Sequence, residues 1–386
     1  MSDADPALGI ERLLVDEGAA GTRTAARLTV WARAAGIPVV SGLEAGRAAP
    51  DRAVPLSKRA LRVVRHQGAV LKPCTGRTDA LLCCNLQVIT QTIGCPIDCC
   101  YCILQDYQNR SEIVVRADPE EMLATLGAEA AAQPRRLLRV CTGQVGDSLA
   151  LEPLVGFAAE AVRFCAEQPN LVLELKTKTD RVEPLLGLEH RGRTVVSFSL
   201  SATALSQSEE RGAASPMRRL GAAARAGEAG YLLGLHLDPL ISEGGAGAAE
   251  PFKEILRAAA ALLPARQLAY LSMGTVRFPP AMRRTILQRF PHSRATLGEL
   301  LPELDGKLRL LRPLRVALYR ELAAEARRLF PETFLYLCME PEPVWRRALS
   351  SSFGSRAEVE LALARSLDER FGLAPTPPLA PDYPGD

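Results

Sequence analysis

The 386-residue chain has no run near the ~18 apolar residues that a membrane span needs, and its first nine residues are acidic, without the apolar core of a secretory signal. Both absences lead to the expectation of a cytoplasmic protein that has no membrane partner. Aromatic residues are sparse at 5% and Trp occurs only twice, but a hydrophobic content of 47% against 24% charged residues is that of a globular chain and excludes an extended disordered one. A strong overall charge is missing as well. The formal net charge of +3 forces no polyanionic partner, so any basic face has to be local. There is no internal repeat. What the chain does have is cysteine, ten in all. A reducing compartment disfavours a disulfide framework, which leaves metal binding or catalysis for the clustered ones.

Four regions follow from pattern. Residues 1–60 read as a strand–helix unit and linker: a strand at 11–17, a helix at 22–35, a strand at 37–40, then an Ala/Gly/Pro/Arg-rich linker at 42–57. Residues 61–278 alternate apolar strand-like runs (113–115, 137–141, 171–175, 194–200, 231–237, 268–273) with helix-like stretches (119–132, 153–166, 217–229, 251–263). This alternation predicts α/β architecture, a parallel sheet covered by helices and wound by right-handed crossovers, with about six units suiting an open or partial barrel. Residues 279–372 read as a C-terminal basic hairpin and helical extension, and the Pro-rich residues 373–386 as a disordered tail.

The segment QTIGCPIDCCYCILQ, Gln91 to Gln105, spaces Cys95, Cys99 and Cys102 as C-x3-C-x2-C. Three thiolates on one short loop can wrap one compact iron–sulfur cluster. Such clusters usually have four protein ligands, so the fourth iron is left open to a cofactor or substrate. A zinc site or a redox-sensing thiol group is the alternative, but zinc usually uses C-x2-C with a distant partner pair, which is absent here. Cys100 reads as a packed bystander. Cys74, Cys83 and Cys84 read as buried small groups, with an auxiliary cluster as the alternative, and Cys165 and Cys338 read as core. Lys307, Arg309, Arg312, Arg315 and Arg320 follow a turn at Asp305–Gly306 with no acid between them, which suits either phosphate contact or a solvated face. His236 and Asp238, near a strand end, line a site or cap the next helix.

With Tyr101 before the last cysteine, the C-x3-C-x-Φ-C form resembles the radical S-adenosylmethionine superfamily. From about Glu11 to Phe278 the chain is similar to the spore photoproduct lyase family. The similarity is carried in order by Leu14–Pro38, GCPIDCCYCILQ (94–105), RVCTGQVGDSL (139–149), ELKTKTDRVEPLL (174–186), GRTVVSFSL (192–200) and the segment 222–239 ending in LDP. The resemblance implies a partial (β/α)6-type radical SAM barrel and a DNA-repair lyase. In that family a [4Fe-4S] cluster cleaves S-adenosyl-L-methionine to a 5′-deoxyadenosyl radical, which opens the methylene-bridged thymine dimer (spore photoproduct) back to two thymines. It further implies Cys95, Cys99 and Cys102 as metal ligands, Cys141 as donor of a hydrogen atom to the thymine methyl radical, and Tyr101 in the hydrogen relay. Gly143, Lys178 and Ser199 are implied at the cofactor, and Arg309 and Arg312 at the DNA. The implied partners are UV-damaged DNA and an electron donor such as flavodoxin or ferredoxin. Ile103 stands where the family has a second tyrosine, so the cofactor is either regenerated or consumed. A radical enzyme acting on another damaged base or a non-DNA substrate, and a non-catalytic iron–sulfur or zinc-binding regulator, are the rival readings.

Overall fold

The computed structural model describes residues 9–42, 58–107 and 112–383. The linker expected at 42–57 therefore lies outside the described residues except for Gly42, as does the acidic start of the chain up to residue 8.

Eight strands form the principal sheet: β1 Leu71–Pro73, β2 Gln87–Ile89, β3 Leu138–Cys141, β4 Leu171–Thr177, β5 Thr194–Ser199, β6 Leu232–Leu240, β7 Leu268–Thr275 and β8 Phe334–Leu337. They lie side by side in chain order. β1 is antiparallel to β2, and every other neighbouring pair is parallel. The sheet curls into a half-barrel, and an isolated antiparallel bridge between Leu82 and Glu340 joins the β1–β2 connection to the segment leaving β8.

Successive side chains on a strand face opposite sides, and here the two sides differ in chemistry. Leu138 and Val140, Leu173 and Leu175, and Leu235 and Leu237 join the apolar core under the helices. Arg139, Cys141, Glu174, Lys176, Ser197, Ser199, His236, Tyr270, Ser272 and Tyr336 take the alternate positions, which face the concave side. The covering helices are capped as their sequences suggest. Ser215 accepts from Arg218 N before helix Pro216–Glu228, and Ser355 accepts from Glu358 N before helix Arg356–Phe371.

Three expectations change. Ile113–Arg116 is not a barrel strand. It belongs to a second sheet that also holds Val39–Ser41, Arg12–Val15, Ala60–Val64 and Thr92–Ile93, so the small N-terminal unit reaches into the region read as barrel. The helix expected at 153–166 is two, Glu152–Val155 and Phe157–Ala166, broken at Gly156 (φ 73°). The buried Glu152 carboxylate restarts it by accepting from Ala158 N and Ala159 N at 2.8 and 2.9 Å. The tail is docked, not disordered, as far as Tyr383: Tyr383 is buried, and its hydroxyl accepts from Leu137 N at 3.1 Å, at the start of β3. Beyond it, residues 384–386 lie outside the described residues. Among the described residues no helix is long and apolar enough to cross a membrane.

The basic stretch forms the expected hairpin, Leu300–Pro302 with Leu308–Leu310, but its charges are mostly spent inside the protein. Arg309 is 1% exposed and clamps Asp305 through both guanidinium nitrogens. Arg315 is equally buried between Glu303 and Glu340. Arg312 keeps 38% of its side chain exposed and pairs with Glu303 at 2.7 Å. Glu303 and Glu340 lie outside the 305–320 window and Asp305 heads it, which is why the run looked unpaired in the sequence.

Candidate active site

A cavity of about 350 Å³ opens over the C-terminal ends of the strands, where open α/β folds place their ligands. Cys95, Cys99 and Cys102 line it together with Tyr101, Cys141, Gly143, Lys178 and Ser199, so the cysteine, tyrosine and cofactor-side residues singled out from the sequence meet in one place. Arg309 and Arg312 do not line it, and of that basic run only Lys307 does.

The loop carrying the three cysteines is fixed by the backbone. Gly94 N donates to Val145 O at 2.8 Å, Cys102 N donates to Cys99 O at 3.1 Å, and Asp98–Cys99 pairs antiparallel with Glu210–Arg211. Asp98 is held by Arg289 at 3.0 Å and Lys58 at 3.1 Å. Cys100 turns away and packs against the Ser208–Glu209 backbone. Burial pushes the thiols of Cys95, Cys99 and Cys102 up, toward the protonated form. Lys58 and Lys178 work against this at Cys102. A cationic metal centre is what reverses such a shift, releasing the protons as it binds. The donor set therefore fits an iron–sulfur cluster: three sulfurs from one loop, two lysines nearby and no fourth loop cysteine in register.

Tyr101 is held by Glu210, a residue the sequence reading passed over. The Tyr101 hydroxyl donates to Glu210 Oε1, while Arg219 Nη2 and Ser206 Oγ hold Oε2 at 2.5 and 2.8 Å. Lys178 Nζ is 3.6 Å from Oε1 and 5.8 Å from the centre of the Tyr101 ring. Burial alone would raise this carboxyl, but Lys178, Arg219 and the tyrosine hydrogen bond bring it to about 2. Ile103 follows Cys102 and is partly exposed.

Cys141 ends β3, and its Sγ accepts from Gly143 N at 3.3 Å. Burial first, and then the charge of Glu174, push its thiol up to about 12. It therefore keeps its S–H proton at neutral pH. A Cβ at Gly143 would lie 2.6 Å from both Lys176 O and Ser148 Oγ, so only glycine fits this turn. Asp147 ties the same turn to the end of β4, accepting from Lys178 N at 2.7 Å and Thr177 Oγ1 at 2.7 Å.

The concave face below is polar throughout. Glu174 accepts from His236 Nε2 at 2.7 Å and from Arg139 at 3.3 Å. His236 is pushed down to about 4 by burial, so it is neutral, and its Nδ1 faces Ser272 Oγ at 2.5 Å. Asp238 binds Arg277 at 2.9 Å. Lys176 lies among Asp238, Glu174, Cys338 and Cys141. Glu174, Lys176 and Arg277 were missed. The alternation Glu174–Lys176–Lys178 within ELKTK was the available signal, since it puts three charged side chains on one face of a strand that is otherwise apolar. Cys338, expected in the core, lines the cavity, as do Cys74, Cys83 and Cys84.

A family model described as spore photoproduct lyase matches residues 84–303, more than half of the chain. The spore photoproduct lyase of Geobacillus sp. (strain Y412MC61) is 28% identical over 214 residues, 53% of this chain and 61% of that protein. The spore photoproduct lyase of Bacillus subtilis (strain 168) is 27% identical over 219 residues, 53% and 60% respectively. The matched segment thus spans about three fifths of the length of these curated relatives. Among solved structures, a spore photoproduct lyase double mutant with bound AdoMet and dinucleoside spore photoproduct superposes with a TM-score of 0.74 at 20% identity. It covers 85% of this chain and 98% of its own. A spore photoproduct lyase complexed with dinucleoside spore photoproduct gives the same TM-score and coverage. These structures share the half-barrel fold.

Proposed function

The chain belongs to the spore photoproduct lyase family, and from that premise we propose that it is a radical S-adenosylmethionine lyase that cleaves the methylene-bridged thymine dimer of UV-damaged DNA back to two thymines. The observation that carries this reading is the convergence of Cys95, Cys99, Cys102, Tyr101 and Cys141 on one cavity. When bound, the [4Fe-4S] cluster and S-adenosylmethionine supply a 5′-deoxyadenosyl radical that abstracts hydrogen from the lesion.

The chain's own residues do the rest. Cys95, Cys99 and Cys102 hold the cluster. The turn at Gly143 leaves room for close approach of the cofactor, and Lys178 and Ser199 face the same space. Cys141, protonated and fixed by Gly143 N, gives its hydrogen atom to the thymine methyl radical. Tyr101, oriented by Glu210, is placed to pass hydrogen between the cysteine side and the cofactor side. A lesion stacked in a duplex must leave the stack to reach the floor of such a cavity. The hairpin 300–310 at its rim, with Lys307 facing inward, suits that contact. Arg312, the more exposed of the two arginines, suits phosphate contact, whereas Arg309 acts from within by shaping the turn. Cytoplasmic operation with a small electron carrier completes the reading.

The test is anaerobic reconstitution with reductant, S-adenosylmethionine and a synthetic spore-photoproduct dinucleotide. Restored thymidylyl-thymidine is expected. Formation of 5′-deoxyadenosine without any restored product would remove the lyase assignment in favour of another damaged base or a non-DNA substrate, and formation of neither would favour a non-catalytic metal-binding protein. Ile103 makes the stoichiometry informative. One or more 5′-deoxyadenosine per repaired dimer marks the cofactor as consumed, and far fewer than one marks it as regenerated.

A further inference from the structure

Eight of the ten cysteines line one cavity. Three belong to the loop and one is Cys141, which leaves Cys74, Cys83, Cys84 and Cys338 without a role. We propose that these four thiols bind a second iron–sulfur cluster, fully ligated by protein, across the seam of the half-barrel. The inference goes beyond the lyase reading and does not depend on it.

The four residues come from both lips of the open sheet. Cys74 directly follows β1, Cys83 and Cys84 lie in the connection to β2, and Cys338 directly follows β8 at the opposite edge. The lips are brought together by backbone. Leu82 N donates to Glu340 O at 3.0 Å across the seam, where a Cβ at Gly76 would also lie 2.7 Å from Met339 Sδ, and Cys74 N donates to Leu86 O at 2.9 Å within the β1–β2 lip. Cys84 is a near electrostatic neighbour of Cys74, Cys83 and Cys338.

The surroundings are those of an anion. Arg139 is buried at 7% exposure, yet its Nε and Nη2 have no hydrogen-bond partner, and Cys84 is among its nearest charge neighbours. At this end of the cavity Arg139, Lys176 and Arg277 bring three cations beside the two carboxylates Glu174 and Asp238. A cubane with four thiolates carries net negative charge and would take up the excess. Two sulfurs already receive N–H donors of the kind that tune such clusters: Gln144 Nε2 to Cys74 Sγ at 2.8 Å, and Arg277 Nη2 to Cys338 Sγ at 3.2 Å.

Among the described residues no three His, Cys, Asp or Glu side chains converge on a point suited to one metal ion, and this is as true of the Cys95 loop as of the seam. A four-thiolate site leaves no open iron, which separates it chemically from the loop site.

Iron and acid-labile sulfide are counted per chain after anaerobic reconstitution, with electron paramagnetic resonance of the reduced protein. Wild type is expected to hold about eight of each, two cubanes' worth. Cys95→Ala/Cys99→Ala/Cys102→Ala is expected to keep about half, with a reduced-cluster signal insensitive to S-adenosylmethionine. Cys84→Ala/Cys338→Ala is expected to lose about half. A triple variant that folds, by circular dichroism, and holds no iron or sulfide overturns the proposal. So does one that holds zinc in their place. Should the triple variant not fold, full iron retention by the Cys84/Cys338 variant overturns it equally.

Discussion

At the scale of single residues the site depends on protonation states set by burial. The proposed donor role needs a thiol that keeps its proton, and burial pushes Cys141 up to about 12. Cys141→Ala should still form 5′-deoxyadenosine while the thymine radical is quenched by other donors, giving adducts and by-products in place of clean thymidylyl-thymidine. Chromatography of the products decides this, and unchanged clean repair would show that the donor is elsewhere. Glu210 is the opposite case. Its folded-state value of about 2 lies below the ordinary carboxylate range, so its contribution to stability is complete above about pH 4.5 and is lost as pH falls toward 2. Denaturation curves between pH 6 and pH 3 should therefore show wild type losing stability more steeply than Glu210→Gln. Parallel pH dependence of the two proteins would count against the Lys178–Glu210–Arg219 cluster. Glu210 follows Glu209 in an unremarkable helix end, and nothing in its spacing links it to Tyr101, 109 positions earlier. The partnership arises only when Glu210–Arg211 pairs with Asp98–Cys99.

At the scale of elements, the hairpin 300–310 and the helix after it separate two arginines that look alike in sequence. Arg309→Ala leaves Asp305, itself 2% exposed, as a buried carboxylate without its clamp. Breaking such a pair costs about 3–5 kcal/mol, which a urea midpoint would register. Arg312→Ala removes a partly exposed pair worth at most about 1 kcal/mol. Its effect should appear in DNA binding, as lower affinity and a shallower dependence on salt. An unchanged salt slope would exclude Arg312 from the phosphate contact. Most of the elements were legible from their own residues. Strands such as TVVSFS, Thr194–Ser199, and helices such as Arg356–Phe371 with Ser355 before and Gly372 after carry their limits locally. What was not legible is pairing across distance. Ile113–Arg116 has the composition of a barrel strand and joins the other sheet only because Ala60–Val64 is there to receive it.

At the scale of the whole molecule the C-terminus closes the structure. Tyr383 reaches back 246 residues to Leu137 N, and Arg193 donates to Leu373 O at 3.1 Å. Proline content alone suggests a free tail, and one buried aromatic anchor overrides it. Tyr383→Phe should cost about 1–3 kcal/mol by stranding a buried N–H, with truncation before Leu373 costing more. Equal melting temperatures for wild type and Tyr383→Phe would show that the anchor is apolar packing alone. The cluster loop and Cys141 could be picked out because each sits in a short, chemically distinctive segment. Of the polar floor only His236 and Asp238 could be picked out, because Arg139, Glu174 and Arg277 lie on separate strands or their ends and join the network only when the sheet curls.

The principal sheet has a further property: its spatial order is its chain order, β1 through β8. Each strand after the first can dock on a neighbour that has already left the ribosome, with no slot held open for a later arrival, so assembly can proceed vectorially. Only the two lips, joined at Leu82 and Glu340, must wait for the last strand. Until β8 and Glu340 are in place, the cavity is therefore a trough open along one side.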